Sequence, residues 1–244
     1  MVRSMEKAVN NIQANNYRYE RKFVYAHVYP EDLIQTEVLS NAFCFREIFQ
    51  RRTVNNCYFD DSSMSFYHQN VAGDDKRDKY RLRWYGDDFA QIQNPVLEIK
   101  KKHGLVGDKI SFPLKDFKLD LTQTSSRDLL LKIKEATTKT GFQELSQAMQ
   151  LLNPAVYNSY ERRYFLSHCE RYRITIDYNM FFYDVQTIPY EITKAALPEV
   201  ILELKYATKD DKDSRQISQG LTARLSKHSK YVRGVDLIYQ LTPS

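Results

Sequence analysis

Lys79-Tyr80-Arg81-Leu82-Arg83-Trp84-Tyr85-Gly86 is the stretch whose reading decides the fold. Read as a β-strand, it sends alternate side chains to opposite faces. Lys79, Arg81 and Arg83 then share one face, and Tyr80, Leu82 and Trp84 share the other. The apolar face asks for a core or a helix to cover it. The cationic face is unusual, because three positive charges in a row repel one another unless an anion, a carboxylate or water separates them. One strand of this kind is compatible with a solvated sheet face, so the reading turns on whether other strands repeat the pattern.

Strand after strand repeats it. Tyr17–Tyr29 sets Arg18, Glu20 and Lys22 against Tyr19, Arg21 and Phe23, and Val96–Lys102 sets Glu98 and Lys100 against Leu97 and Ile99. Asp108–Leu114 places Lys109 and Ser111 together, against Ile110 and Phe112. Ala155–Ser167 carries Tyr160, Arg162 and Tyr164 on one face. Tyr172–Tyr178 sets Arg173, Thr175 and Asp177 against Ile174, Ile176 and Tyr178, and Val200–Tyr206 sets Glu203 and Lys205 against Leu202, Leu204 and Tyr206. Arg51–Phe59 is also strand-like and ends in the turn Asp60-Asp61-Ser62-Ser63. Helices are predicted within 30–50, where Pro30-Glu31-Asp32 opens an apolar stripe of Leu33, Ile34, Val38 and Leu39. A second helical stretch covers 125–152, split near Gly141. Met64–Val71 reads as a short helix or strand, Met180–Val185 as a loop or short strand, and 213–229 as a polar helix. Residues 1–16 read as a polar arm and 17–240 as one domain.

Composition narrows the class. The chain has 244 residues, 42% of them hydrophobic, with 18 Tyr and 13 Phe, which favours a β-rich core. Only 7 Gly and 7 Pro argue against disorder. Cys44, Cys57 and Cys169 form no C-x-x-C pair or disulfide framework, which fits a reducing, cytoplasmic setting. No apolar run approaches the length of a membrane span. The net charge of +5 is mildly basic, so placement of the charges matters more than their sum. The five histidines show no metal-ligand spacing. The sequence also lacks the glycine-rich loops that cradle nucleotide phosphates, so any bound phosphates must be held by side chains.

Closing these strands into a barrel would cover the apolar outside with helices and leave a polar inside. That lumen would be cationic with a few carboxylates, which implies a polyanionic ligand, since buried like charges are costly. Carboxylates among the cations further imply a divalent metal. Arg grips phosphate oxygens with a planar fork and Lys as a point charge. Trp84 and the tyrosines could stack bases, but alternation turns Trp84 away from Arg81 and Arg83 and favours packing for it.

The ordered pieces Tyr19-Glu20-Arg21-Lys22-Phe23, Cys57-Tyr58-Phe59-Asp60, Arg81-Leu82-Arg83-Trp84-Tyr85-Gly86, Leu97-Glu98-Ile99-Lys100, Gly107-Asp108-Lys109, Tyr160-Glu161-Arg162-Arg163-Tyr164, Tyr172-Arg173-Ile174-Thr175-Ile176-Asp177, Leu202-Glu203-Leu204-Lys205 and Lys227-His228-Ser229-Lys230-Tyr231 resemble the VTC-type polyphosphate polymerase domain, a branch of the triphosphate tunnel metalloenzymes. The resemblance implies an α+β, mainly β fold: a closed tunnel barrel of eight antiparallel strands with a cationic lumen, flanked by helices. It implies transfer of the terminal phosphate of ATP to a polyphosphate chain with release of ADP, using Mn²⁺ or Mg²⁺. Carried over by motif, Lys22, Arg81, Arg83, Lys100, Lys109, Arg162, Arg173 and Lys230 would hold the phosphates. Ser229 would sit beside the terminal one, Lys205, Lys227, Glu20 and Glu98 would be further contacts, and Glu203 would hold the metal. ATP and inorganic polyphosphate are the implied partners, with no nucleic acid. The alternatives are a tunnel triphosphatase acting on short polyphosphate or a nucleoside triphosphate, and a non-catalytic polyphosphate or nucleotide sensor. Glu20-Arg21-Lys22 departs from the E-x-E-x-K of tunnel phosphohydrolases, which counts against a simple hydrolase. The domain resembles the free-standing prokaryotic form rather than the eukaryotic one joined to membrane helices.

Overall fold

The computed structural model describes residues 18–26, 29–103, 106–139, 142–186 and 194–239. The predicted arm over 1–16 and the break at Gly141 lie outside them. The alternating sequence builds long strands: β1 (Arg18–Tyr25), β2 (Arg46–Asp60), β3 (Lys76–Tyr85), β5 (Val96–His103), β6 (Val106–Pro113), β8 (Asn153–Leu166), β9 (Arg173–Tyr183) and β11 (Val200–Ala207). With the short β10 (Lys194–Leu197) they form one antiparallel sheet in the order β10-β9-β11-β1-β6-β5-β3-β2-β8. Strand β8 pairs with β9 as well as with β2. Strands β1 and β6 meet over two register pairs, Arg18↔Gly107 and Tyr19↔Val106. Two three-residue strands, β4 (Gln91–Gln93) and β7 (Lys118–Asp120), make a separate ribbon. The fold is therefore α+β and mainly β: the main sheet holds eight long strands and the short β10, which pairs with β9.

Six α-helices occur among the described residues: α1 (Glu31–Leu39), α2 (Ser65–Ala72), α3 (Ser126–Lys139), α4 (Gln143–Leu151), α5 (Asp211–Gln219) and α6 (Lys230–Tyr239). Four of them cover faces that alternation leaves apolar. Helices α3 and α4 and the β4–β7 ribbon bury Leu82, Trp84, Leu97 and Ile99 together with Leu129, Ile133 and Met149. Helices α1 and α5 bury Phe23, Ile174, Ile176, Leu202 and Leu204 together with Ile34, Val38 and Ile217. Trp84 is packed there, as alternation requires, with its indole N–H donating to the Phe89 carbonyl at 3.1 Å.

Helix α6 does something else. Its Tyr231 and Val235 pack on Val54, Tyr58, Val156, Tyr160, Phe182 and Ile201. By alternation, Tyr58 lies opposite to Cys57 and Phe59, so this third cluster belongs to the face that carries the charges. The charged face thus has an apolar portion, and α6 covers it. The sequence reading ends in a polar helix over 213–229 and a tail. The structure instead ends α5 at Gln219 and places a helix from Lys230, whose apolar side (Tyr231, Val235, Ile238) repeats at helical spacing. Met180–Val185, read as a loop or short strand, is for the most part a continuation of β9, because Met180 and Phe182 have that apolar cluster to fill.

Candidate anion-binding site

Alternation and pairing bring the predicted cations to one place. Register sets Arg83 beside Asn56, Arg81 beside Glu98, and Lys22 beside Glu203. Arg162 lies beside Asp177 across the β8–β9 pair. Glu98, 3% exposed, collects three cations: Arg81 donates to it at 2.6 Å, Lys109 at 2.8 Å, and Arg83 lies at 3.6 Å. Arg83 also donates to the Asn56 side chain at 3.2 Å. Asp177 is fully buried and holds Arg162 through both oxygens, at 2.5 and 2.8 Å, and Lys230 at 2.5 Å. Glu203 pairs with Lys205 at 3.1 Å, and Glu20 accepts from Lys100. The Lys22 ammonium donates to the His228 carbonyl at 2.7 Å. Arg162 and Lys230 both lie over the Tyr160 ring, with centroid distances of 5.1 and 4.8 Å.

Eight cations (Lys22, Arg81, Arg83, Lys100, Lys109, Arg162, Lys205 and Lys230) therefore share four carboxylates (Glu20, Glu98, Asp177 and Glu203). The imbalance shows in the titration of the groups. Burial pushes Asp177 up, but Arg162 and Lys230 outweigh it and bring its carboxyl down to about 2. Burial likewise works against Glu98 and Glu203, and their surrounding cations hold both well below the usual carboxylate range. All four carboxylates are ionised at neutral pH. Burial, reinforced by Lys100 and Lys230 against the pull of Glu203 and Glu20, brings the Lys22 ammonium down to about 8. Lys230 moves the other way: burial lowers it, but Asp177 and Tyr160 raise it further.

The remaining predicted residues sit at the margin. Arg173, at the start of β9, and Lys227, between α5 and α6, are both exposed. Ser229 accepts a hydrogen bond from Lys79 at 2.7 Å, which joins the start of α6 to β3. Arg21, next to Glu20 and Lys22 in sequence, turns to the opposite face and donates to Tyr206 and, at 2.9 Å, to Asp211. The sequence reading missed Asp177, Asn56 and Tyr160 as members of the site. Asp177 was legible as the next-but-one neighbour of Thr175 on the charged face. Asn56 was not, because a neutral amide in a strand carries no signal by itself.

Among the described residues, no three His, Cys, Asp or Glu side chains come together as a protein-only metal cage. Glu20 and Glu203, linked through Lys205, do offer carboxylate oxygens on adjacent strands. Mg²⁺ or Mn²⁺ bound through one or two carboxylates, with the remaining positions taken by substrate phosphates and water, fits that donor set.

The sequence model of the VTC domain matches residues 10–239. The chain belongs to the VTC domain family. No curated protein sequence matches it. Among solved structures, a proposed adenylyl cyclase from Hippeastrum, described as having a dominant triphosphatase activity, is similar at 12% identity and a TM-score of 0.48, over 89% of this chain and 94% of that one. A proposed adenylate cyclase from Vibrio parahaemolyticus is similar at 11% identity and a TM-score of 0.47, over 87% and 95%. The Mimivirus capping enzyme triphosphatase is similar at 10% identity and a TM-score of 0.38, over 88% and 94%. No helix among the described residues is long and apolar enough to cross a membrane.

Proposed function

We propose that this VTC domain is a metal-dependent polyphosphate polymerase: it transfers the terminal phosphoryl group of ATP to a polyphosphate chain and releases ADP. The observation that carries the reading is the charge imbalance of one sheet face, where eight cations, from buried Arg83 and Arg162 to exposed Lys109, share four carboxylates. Cations crowded in excess on one face call for an anion, and a linear polyanion can meet several strands at once. The pairing of β8 with both β2 and β9 supports closure of the sheet into a tunnel around that anion.

Phosphoryl transfer asks the protein for position and charge neutralisation rather than covalent chemistry. A terminal oxygen of the polyphosphate forms a bond to the γ-phosphorus of ATP. The bond from that phosphorus to the β–γ bridging oxygen breaks, and ADP carries away the electron pair. Arg83 and Arg162 present guanidinium forks to equatorial phosphate oxygens. Lys230 and Lys22 add point charges, and Ser229 and Lys79 sit where a terminal phosphate would end. Glu98 and Asp177 hold the cations in place before the substrate arrives, so little reorganisation is needed on binding. Mn²⁺ or Mg²⁺ at Glu203 and Glu20 would neutralise phosphate oxygens when bound. Arg18 stands where E-x-E-x-K has its first glutamate, so Glu20 is the one carboxylate this segment turns to the site beside Lys22, which favours transfer over the hydrolase alternative.

Product analysis tests the reading. Purified protein incubated with ATP and Mn²⁺ is expected to yield ADP and long-chain polyphosphate in matching amounts. Free phosphate without polymer would assign a triphosphatase, and tight binding with no product would assign a sensor.

A further inference from the structure

The site continues outward onto an exposed aromatic group that the proposed chemistry does not use. In β2, the residue pairs Phe49↔Tyr164 and Arg52↔Arg162 enclose an irregularity: three steps along β2 match two along β8. Residues three apart in a regular strand point to opposite faces, and a bulge of one extra residue restores them to the same side. The contacts agree. The Arg52 guanidinium lies over the Phe49 ring at 4.8 Å and over Tyr164 at 5.9 Å, and the two rings meet edge to face at 5.7 Å. Arg51 takes the other face, over Tyr178.

This group adjoins the phosphate grip. Arg52 is the register partner of Arg162. Tyr164 shares the β8 face of Arg162, two residues away, and burial raises its phenol against the pull of Arg162 and Arg83. Yet it is not core: Phe49 is 49% exposed, Arg52 is exposed, and no carboxylate pairs with Arg52 among the described residues. Nearby Tyr85 is also 49% exposed. Aromatic rings and an arginine plane standing open beside phosphate-binding arginines are what a nucleobase requires, since every base has a π-face.

The geometry points to Phe49, Arg52 and Tyr164 as a platform on which the base of the nucleotide stacks while Arg83 and Arg162 take its phosphates. The inference rests on the proposed phosphate site, and it assigns the nucleotide to the end of that site formed by the overhang of β2 and β8. It separates two ligand classes, because tripolyphosphate has the charges of ATP and no base.

Equilibrium titration with ATP and with tripolyphosphate, in buffer containing EDTA so that no turnover occurs, tests it on the wild type, Phe49→Ala, Phe49→Trp and Arg52→Ala. Truncating Phe49 is expected to weaken ATP about tenfold and tripolyphosphate less than twofold, with Phe49→Trp retaining ATP binding. Arg52→Ala should also weaken ATP more than tripolyphosphate. Equal losses for both ligands, or no loss in Phe49→Ala, would overturn the platform and make Arg52 part of the phosphate grip or of neither. Wild-type protein that binds tripolyphosphate but not ATP would also overturn the platform while leaving the phosphate site standing. Binding of neither ligand would overturn the phosphate site itself.

Discussion

Lys22 is where the electrostatics of the site become measurable at a single residue. Its ammonium, at about 8, stands below the ordinary lysine value of 10.5 because burial and two neighbouring lysines outweigh Glu203 and Glu20. The sign of the consequence follows. Below pH 8 folded and unfolded chains both carry the proton, and folding bears the cost of burying it. Between about pH 8 and 10.5 the unfolded chain binds the extra proton, so this residue's contribution to stability rises with pH across that window. Phosphate binding needs the charge and moves the opposite way. We expect the melting temperature of the anion-free protein to gain from Lys22 as pH is raised through this window, while tripolyphosphate affinity falls about tenfold, the worth of one charge-assisted hydrogen bond. Lys22→Arg, which keeps its charge, should lose both trends in paired melts and calorimetric titrations; identical pH profiles for the two proteins would reject the assignment. At this scale most of the site was legible, because period-two alternation names the face of each residue. Asp177 and Tyr160 were passed over in favour of the basic residues around them, although the same alternation places them.

At the scale of the element, the C-terminal helix links the apolar and charged portions of one face. Tyr231 donates to Asp60, whose two oxygens also accept from the backbone of Phe66 and Tyr67 at the start of α2. The Tyr67 hydroxyl donates to Asp236 at 2.7 Å, and the Tyr239 hydroxyl donates to the Ala155 carbonyl at 3.0 Å. The same helix begins with Lys230, so its seating decides where that ammonium points. Gly234 lets it approach the sheet: a Cβ there would stand 2.4 Å from Cδ1 of Phe182, whose ring is fully buried. Gly234→Ala is expected to cost about 1–3 kcal/mol by overpacking, and to lower activity by shifting Lys230. Thermal melts and turnover of the variant check this; wild-type values for both would show that α6 is not held in this position. The long strands were readable because each has one apolar face in contact with a helix. Helix α6 was missed because it packs on the face expected to be polar, and its apolar spacing begins at the last residue of the motif Lys227-His228-Ser229-Lys230-Tyr231, which was read for its polar residues. The β2 bulge and the β4–β7 ribbon carry no periodic signal and emerge only from tertiary pairing.

For the molecule as a whole, the decisive property is the division of labour between the two faces of one sheet. One face is sealed by α1, α3, α4 and α5 and supplies two apolar cores. The other gathers charge from β1, β2, β3, β5, β6, β8, β9, β11 and α6 around a surplus of cations. Fold class and the charged face followed from the sequence, since alternation repeated on every long strand leaves few other arrangements. The identity of the anion did not, because arginine and lysine recognise phosphate whether it belongs to a nucleotide, a polymer or a short inorganic chain. The central claim is that linear phosphate lies along this face. A crystal structure of the protein grown with tripolyphosphate tests it most directly. The account predicts three consecutive phosphates within hydrogen-bonding distance of Lys22, Arg83, Arg162 and Lys230. Ordered tripolyphosphate bound elsewhere on the surface, with those four side chains still paired to Glu98, Asn56, Asp177 and the His228 carbonyl, would contradict it.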